Sequence, residues 1–107
     1  MAVKMLGAIA ITEDTLTEIF TVTAGKSVIV SRVILTNKNT SSDATMYLEH
    51  LPSGGSTDSK YQFGNSIVLK NNGSLEIAGG ICMSAGDKLK AFTDQSSGYA
   101  IAWGDEF

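Results

Sequence analysis

Cysteine, proline and histidine are nearly absent from this sequence, which has one residue of each among 107. The lone cysteine, Cys82, excludes an intrachain disulfide, whereas small secreted domains usually carry several. With one histidine, His50, and no second thiol to join Cys82, the usual ligand set of a zinc site cannot be assembled. We therefore expect a chain that folds in a reducing cytosol and holds no metal or other cofactor.

Charge is also scarce, and it is evenly spread. The sequence has 11 acidic and 8 basic residues, a formal net charge of -3, and no cluster of Lys or Arg. Because binding to phosphate backbones rests on concentrated positive charge, we expect no nucleic-acid partner. No apolar run approaches the roughly 18 residues that suggest a membrane span, so we expect no membrane partner either.

The remaining composition fits one domain with one core. Hydrophobic residues make up 43% of the chain and charged residues 18%. A chain of this size and apolar content can bury a core, but it has no room for a separate catalytic domain.

Short runs of β-branched and aromatic residues recur along the chain, and each run ends at Gly, Asn, Asp or Ser. No segment keeps the apolar spacing of a helix. The pattern predicts eight strands, near residues 5–12, 16–23, 27–37, 44–51, 61–69, 74–83, 88–93 and 99–104. Eight short strands separated by turn signals predict an all-β, eight-stranded sandwich of two sheets, and this strand number fits a jelly roll.

Two segments predict more detail. Residues 27–37 are apolar on both alternating faces, which is typical of a central strand covered by protein on each side. Residues 71–73, Asn-Asn-Gly, tolerate the positive φ of tight hairpin turns, so we expect residues 69–70 to pair with residues 74–75.

The first strand is unusually apolar for a strand at a sheet edge. Such a strand needs cover, either by adding to the sheet of a neighbouring subunit or as an ordinary buried strand of its own domain. We therefore distinguish an N-terminal apolar strand or arm, residues 1–15, from a β-sandwich domain, residues 16–107. The strand supplies four candidates for an assembly interface: Met5, Leu6, Ile9 and Ile11.

A second apolar stripe lies near the end of the sequence, where Tyr99, Ile101 and Trp103 alternate. This stripe favours packing in the core, with a subunit or partner interface as the alternative, because aromatic residues are common in both places. Phe107, which follows two acids, favours a contact with another chain. Trp103 and Phe107 complete the candidates for an assembly interface.

Motifs for catalysis are incomplete. Residues 25–27, Gly-Lys-Ser, match the end of a phosphate-binding loop, but Phe20 stands where that motif needs its first glycine. The Gly-x-Ser-x-Gly pattern of many hydrolases is missing, and the acids lie singly in turns. We identify no set of acid, base and nucleophile, so we expect no enzymatic activity and name no catalytic residue.

Three stretches are similar in sequence to a known class of proteins. They are residues 20–37, which begin Phe-Thr-Val-Thr-Ala-Gly-Lys-Ser, residues 75–91 with Leu-Glu-Ile and Met-Ser-Ala-Gly-Asp-Lys-Leu-Lys-Ala, and the last strand at residues 99–103. In these stretches the chain resembles small β-sandwich virion proteins of tailed bacteriophages.

The resemblance implies a structural role in a virion. It predicts a capsid decoration or cement protein, or a neck, tail or fibre component, made in the host cytoplasm and located in the virion. Its expected partners are further copies of itself, as a dimer or trimer, and the major capsid protein or other virion proteins. A carbohydrate-binding or receptor-binding module is the alternative, with Tyr47, Tyr61, Tyr99 or Trp103 as a stacking platform.

Overall fold

Eight β-strands and one short 3-10 turn form the regular structure of the described part of the chain. The computed structural model describes residues 3–107, apart from the side chains of residues 65 and 66. The strands are β1 (Lys4–Ile11), β2 (Thr17–Thr21), β3 (Val28–Asn37), β4 (Ala44–Leu51), β5 (Gln62–Leu69), β6 (Ser74–Met83), β7 (Lys88–Thr93) and β8 (Gly98–Glu106). All eight predicted strands are confirmed.

The strands form two packed antiparallel sheets of four strands each. Sheet A has the order β1-β8-β3-β6, and sheet B has the order β2-β7-β4-β5. The chain crosses between the sheets at almost every connection, and only β4 and β5 are both consecutive and paired. This interleaved order is that of a jelly roll, so the prediction of an all-β two-sheet sandwich is confirmed.

The core lies between the sheets and follows from the two-residue period of the strands. Residues of β3 alternate inward and outward on each side of an irregularity at Ser31, and Val30, Val33 and Leu35 are fully buried. On β8 the inward residues are small, with Ala100 and Ala102 also fully buried. Because side chains alternate along a strand, the residues between these positions must point away from the core.

The N-terminal strand belongs to this sandwich. β1 pairs with β8 of the same chain along its length. At Gly7 it passes so close to β2 that an added Cβ would meet the carbonyl oxygen of Ile19. β1 and β2 therefore close one side of the sandwich, where the edges of the two sheets meet. Of the N-terminal segment defined above, residues 1–2 lie outside the described residues.

The turn at residues 70–73 joins the two sheets, not two paired strands. Asn72 has a φ of +60°, and the Gly73 N–H donates to the Lys70 carbonyl at 2.8 Å. However, β5 pairs with β4 in sheet B and β6 pairs with β3 in sheet A, so the predicted hairpin pairing is wrong. The residues of a tight turn specify positive φ, but they do not specify which sheet the next strand enters.

A buried asparagine holds this turn. Asn37, at the end of β3, is fully buried, and its side-chain amide donates to the carbonyls of Leu69 and Ser42 at 3.1 and 3.0 Å. Its backbone N–H donates to the Gly73 carbonyl at 2.8 Å. One side chain therefore ties the end of a sheet A strand to the end of a sheet B strand.

The outer edge of sheet A at β6 is interrupted by a bulge. Val30 pairs with Ile81 and Arg32 pairs with Ala78, so one residue of β3 faces the two residues 79–80 of β6. Gly79 in this bulge has a φ of +126°. Residues with a side chain strongly disfavour this conformation, and glycine adopts it readily. The bulge breaks the regular ladder of backbone groups along this edge.

Candidate assembly surface

The outer face of sheet A, the side away from the core, is the candidate functional site. Antiparallel pairing aligns its residues in rows across β1, β8, β3 and β6. From one end to the other the rows are Ala10, Tyr99, Thr36 and Ser74; Ala8, Ile101, Ile34 and Glu76; Met5, Trp103, Arg32 and Ala78; and Asp105, Ile29 and Cys82. Apolar side chains dominate the middle of this face.

β3 is central in its sheet, but only one of its faces is covered. Ile29 and Ile34 point outward and are half-buried, and Arg32 is exposed. Within the chain, protein therefore covers only one side of this strand, and cover on the second side stays a prediction. The apolar residues that suggested cover on the second side belong to the outer face.

Trp103 also lies on the outer face, together with Tyr99 and Ile101. The alternation of the stripe was predicted correctly, but core packing, the favoured interpretation, is wrong. The inward side of β8 holds small residues: Ala100 and Ala102 are fully buried, and a Cβ added to Gly104 would meet the carbonyl oxygen of Ile29. The aromatic residues are therefore directed outward.

Two cations lie over the aromatic rings of this face. The Arg32 guanidinium carbon is 4.6 Å from the Trp103 ring centroid, and the Lys38 ammonium is 5.0 Å from the Tyr99 ring centroid. Contacts of this kind contribute about 0.5–1 kcal/mol at exposed sites. The Arg32 Nε atom is also 3.7 Å from a Glu76 carboxylate oxygen, so its charge is balanced within the chain.

A shallow depression of about 360 Å³ lies at one end of the outer face. Ala8 and Ala10 contribute small side chains beside the larger Tyr99 and Ile101, and Lys38 also lines the depression. The depression therefore combines apolar walls with one positive charge.

The six predicted interface residues separate into two groups. Ile11 is a core residue, and Leu6 and Ile9 pack against the core, so these three point inward. Met5 is 57% exposed and Phe107 is 49% exposed. A register shift between Met5 and Gly7 explains why Met5 and Ala8, which are three residues apart, both lie on the outer face.

Phe107 extends the outer face beyond the last row. Its backbone N–H and carbonyl both bond to Ser27, at 2.9 and 2.8 Å, which continues the ladder of β8. Alternation along the strand then places its side chain on the same face as Trp103. Of the six predicted interface residues, Met5, Trp103 and Phe107 therefore lie on this face. Ile29 and Ile34 also contribute to it, and they were not among the predicted residues.

The outer face of sheet B is different, because the chain covers part of it. Tyr47 stacks on Phe92 with ring centroids 4.8 Å apart. Beside them Glu49 is fully buried and accepts hydrogen bonds from Thr57 and Gln62 at 3.4 and 3.3 Å. Burial raises the pKa of Tyr47, and the nearby charge of Glu49 raises it further.

A polar cluster around Asp87 holds two loops together at one end of the sandwich. One Asp87 carboxylate oxygen lies 2.9 Å from His50 Nε2 and accepts from the Ser84 N–H at 3.0 Å, and the other accepts from the Ser53 N–H at 2.9 Å. Burial alone would raise the pKa of Asp87, but the hydrogen bonds from His50, Ser84 and Ser53 outweigh it and hold the pKa below its usual value. No local sequence signal connects residues 50 and 87.

This cluster predicts a pH-dependent contribution to stability. A carboxylate whose pKa is lowered by folding stabilises the fold above its unfolded pKa of about 4, and the effect is lost as pH falls through the folded pKa. Replacing Asp87→Asn should therefore lower the free energy of unfolding at pH 7, and its difference from wild type should shrink below about pH 4. Urea unfolding across pH 3–7 measures the difference in unfolding free energy between Asp87→Asn and wild type. Glu13→Gln, in an exposed turn, is the control. A difference that stays constant with pH would contradict the role of the Asp87 charge.

An open groove of about 460 Å³ lies between the start of β5 and the end of β6. Phe63 and Ile81 give it apolar walls, and His50, Lys60 and Tyr61 add polar groups. Among the described residues, no group of three His, Cys, Asp or Glu side chains could hold a metal ion. The described residues also contain no helix long and apolar enough to span a membrane.

No protein-family model matches this sequence, and no curated protein matches it. The surfaces described above are therefore the basis for inferring its function.

Proposed function

We propose that this protein is a non-enzymatic structural protein of a tailed-bacteriophage virion, acting as a capsid decoration or cement protein that stabilises the head. The observation that carries the proposal is the outer face of sheet A. The domain has already buried one core between its sheets, yet it presents a second apolar surface, with Ile34, Ile101 and Trp103 half-buried at its centre. Met5, Tyr99 and Phe107 are exposed on the same face. Contiguous exposed apolar patches mark interaction sites on small soluble domains.

The chemistry of this face supports an assembly role. Trp, Tyr, Met and Arg are the residue types enriched at protein interfaces, and Trp103, Tyr99, Met5 and Arg32 all lie here. The pairing of Arg32 with Glu76 limits the unpaired charge that an interface would have to desolvate.

The resemblance to phage virion proteins supplies the location. The stretches that carry it lie in β2, β3, β6, β7 and β8, which include three of the four strands with residues on the outer face. Decoration proteins multiply weak contacts through many symmetric copies, so a small domain with one assembly surface suits this role. A neck, tail or fibre component would use the same surface on a different particle.

A carbohydrate-binding module is the second candidate, and the groove beside Tyr61 is the observation that favours it. The stacking platform it requires is poorly supported, because each of the four proposed rings already has a partner on the chain. Tyr47 stacks on Phe92, and the other three rings are within reach of cations. A glycan array tests this candidate directly.

Cosedimentation with phage heads tests the proposal. The purified protein is mixed with empty heads prepared without it, with isolated tails as the matched control. We expect saturable binding to heads and none to tails. Binding to tails alone would instead support a neck, tail or fibre component. Binding to neither particle, together with a positive glycan array, would favour the carbohydrate-binding module.

A further inference from the structure

The outer face carries a protruding group at one end and a depression at the other. Phe107 protrudes just beyond the last residue of β8, and it is 49% exposed. The depression lies at the start of the same strand, beside Tyr99. Eight residues of extended strand separate these positions by about 27 Å.

The depression fits an apolar side chain. Ala8 and Ala10 stand across from Ile101 and Tyr99, so small residues on β1 face large ones on β8. Its volume of about 360 Å³ is enough for an aromatic side chain to enter. A surface that carries both a protruding side chain, Phe107, and a depression that can receive it is complementary to a second copy of itself.

A twofold axis lying across the strands would exchange the two ends of the face. The axis must then cross β8 midway between Tyr99 and Phe107, which is at Trp103. The Trp103 side chains of the two copies would meet at the centre of the interface, where binding energy concentrates and where Trp is enriched. Two sheets packed face to face lie about 10 Å apart with their strands nearly aligned, which permits this contact.

Charges at the two ends match in the same arrangement. Lys38 lines the depression, and Asp105 lies two residues before Phe107 on the same face. Exchange of the ends brings Lys38 of one copy toward Asp105 of the other, twice per dimer. The opposite arrangement, with the strands of both copies in the same direction, would bring the two Lys38 side chains together.

The area also suffices for a specific dimer. Four strands about 4.8 Å apart and about 30 Å long give a footprint of about 600 Å² on each copy. This is the lower end of the range for stable interfaces, which bury about 1,200–2,000 Å² in total. A chain of net charge -3 can approach its own copy here, because Arg32 and Lys38 balance Glu76 and Asp105 on this face.

We propose that a second copy of this chain occupies the outer face of sheet A, packed antiparallel about a twofold axis, with Phe107 of each copy in the depression of the other. The inference rests on the proposed function in taking this face as the assembly surface. It names the partner on that face. The dimer then contacts a particle through its other surfaces, so a variant that separates the two copies also weakens binding to the particle, because two linked contacts bind more tightly than one.

A charge exchange tests the pairing. In sedimentation equilibrium, wild type should have twice the mass of the chain. Lys38→Asp places like charges at both ends of its own dimer, and so does Asp105→Lys, so each variant alone should dissociate at least tenfold more readily. Mixed in equal amounts, the two variants form a pair with opposite charges at both ends, and the dimer should return. Circular dichroism melting confirms that each variant is folded before mixing.

A second pair of variants covers the case in which Asp105→Lys fails to fold. Phe107→Ala removes the knob from an exposed position and should weaken the dimer at least tenfold. Val68→Ala, at a site 60% exposed on the other sheet, should leave it unchanged. A monomeric wild type, or folded variants that stay dimeric, or a mixture that stays monomeric, would overturn the pairing.

The outcomes for pairing and for function are separate. Wild-type dimers that do not bind phage heads would contradict the proposed function but not the proposed pairing. Wild-type monomers that bind heads saturably would overturn the pairing and support the function.

Discussion

Replacing Ile34→Arg should weaken saturable binding to phage heads at least tenfold while the protein stays folded. Ile34 lies in the middle row of the outer face, between Ile101 on β8 and Glu76 on β6. An arginine there introduces a charge at the centre of an apolar interface, where desolvating an unpaired charge is costly. Within the isolated domain the cost is small, because the side chain points away from the core and Glu76 is its direct neighbour across the strands.

The matched control is Val68→Arg, which makes the same kind of change on the outer face of sheet B, at a position 60% exposed. Both variants should melt within a few degrees of wild type, and only Ile34→Arg should lose binding in the cosedimentation assay. Equal binding by the two variants would show that the outer face of sheet A takes no part in assembly.

Replacing Gly104→Ala should cost at least about 3 kcal/mol of unfolding free energy, or prevent folding altogether. A Cβ at this position would meet the carbonyl oxygen of Ile29, and it would lie 2.9 Å from the Val30 Cα. Both are backbone atoms of the paired strand β3, so no side chain can rotate to make space. β8 would have to move away from β3, and β8 lies between β1 and β3 in sheet A.

Gly80→Ala is the control for this prediction. A Cβ at Gly80 would lie 3.7 Å from a methyl group of Ile29, which is an ordinary contact. Urea unfolding of the two variants should give a change of less than about 1 kcal/mol for Gly80→Ala and a large loss for Gly104→Ala. Similar losses in both variants would contradict the close approach of β8 to β3.

The number and positions of the strands could be predicted because their signals are local. Runs of β-branched residues bounded by turn residues identify each strand without knowledge of its neighbours. The turn at residues 70–73 was also visible, but its role was not. β6 joins sheet A by pairing with β3, which is far away in the sequence, and Asn37 at the end of β3 binds the turn.

The direction of the aromatic stripe on β8 was a harder problem. Alternation shows that Tyr99, Ile101 and Trp103 share a face, but it does not say whether that face is inside. The signal that decides it is the opposite set, residues 98, 100, 102 and 104, which are Gly, Ala, Ala and Gly. These four residues lie on the buried side, where a Cβ at Gly104 would meet the backbone of β3 and a Cβ at Gly98 would meet the Thr93 side chain, so the large residues point outward.

The candidate surface was recognised in part for a similar reason. Phe107 and Met5 were identified because apolar residues at such positions need a partner. Ile29 and Ile34 were not, because a strand that is apolar on both sides has two explanations with the same pattern. One is a neighbouring layer of the same chain, and the other is a neighbouring molecule.

The bulge at residues 79–80 bears on the kind of particle this protein can build. Molecules that join through free strand edges add one after another without limit, and the product is a fibre of undefined length. Gly79 and Gly80 interrupt the β6 edge, and the close approach at Gly7 occupies the β1 side. Both edges of sheet A therefore disfavour the addition of a strand from another molecule, while its outer face stays accessible. A twofold contact through that face is complete with two molecules, which gives a finite assembly of constant stoichiometry.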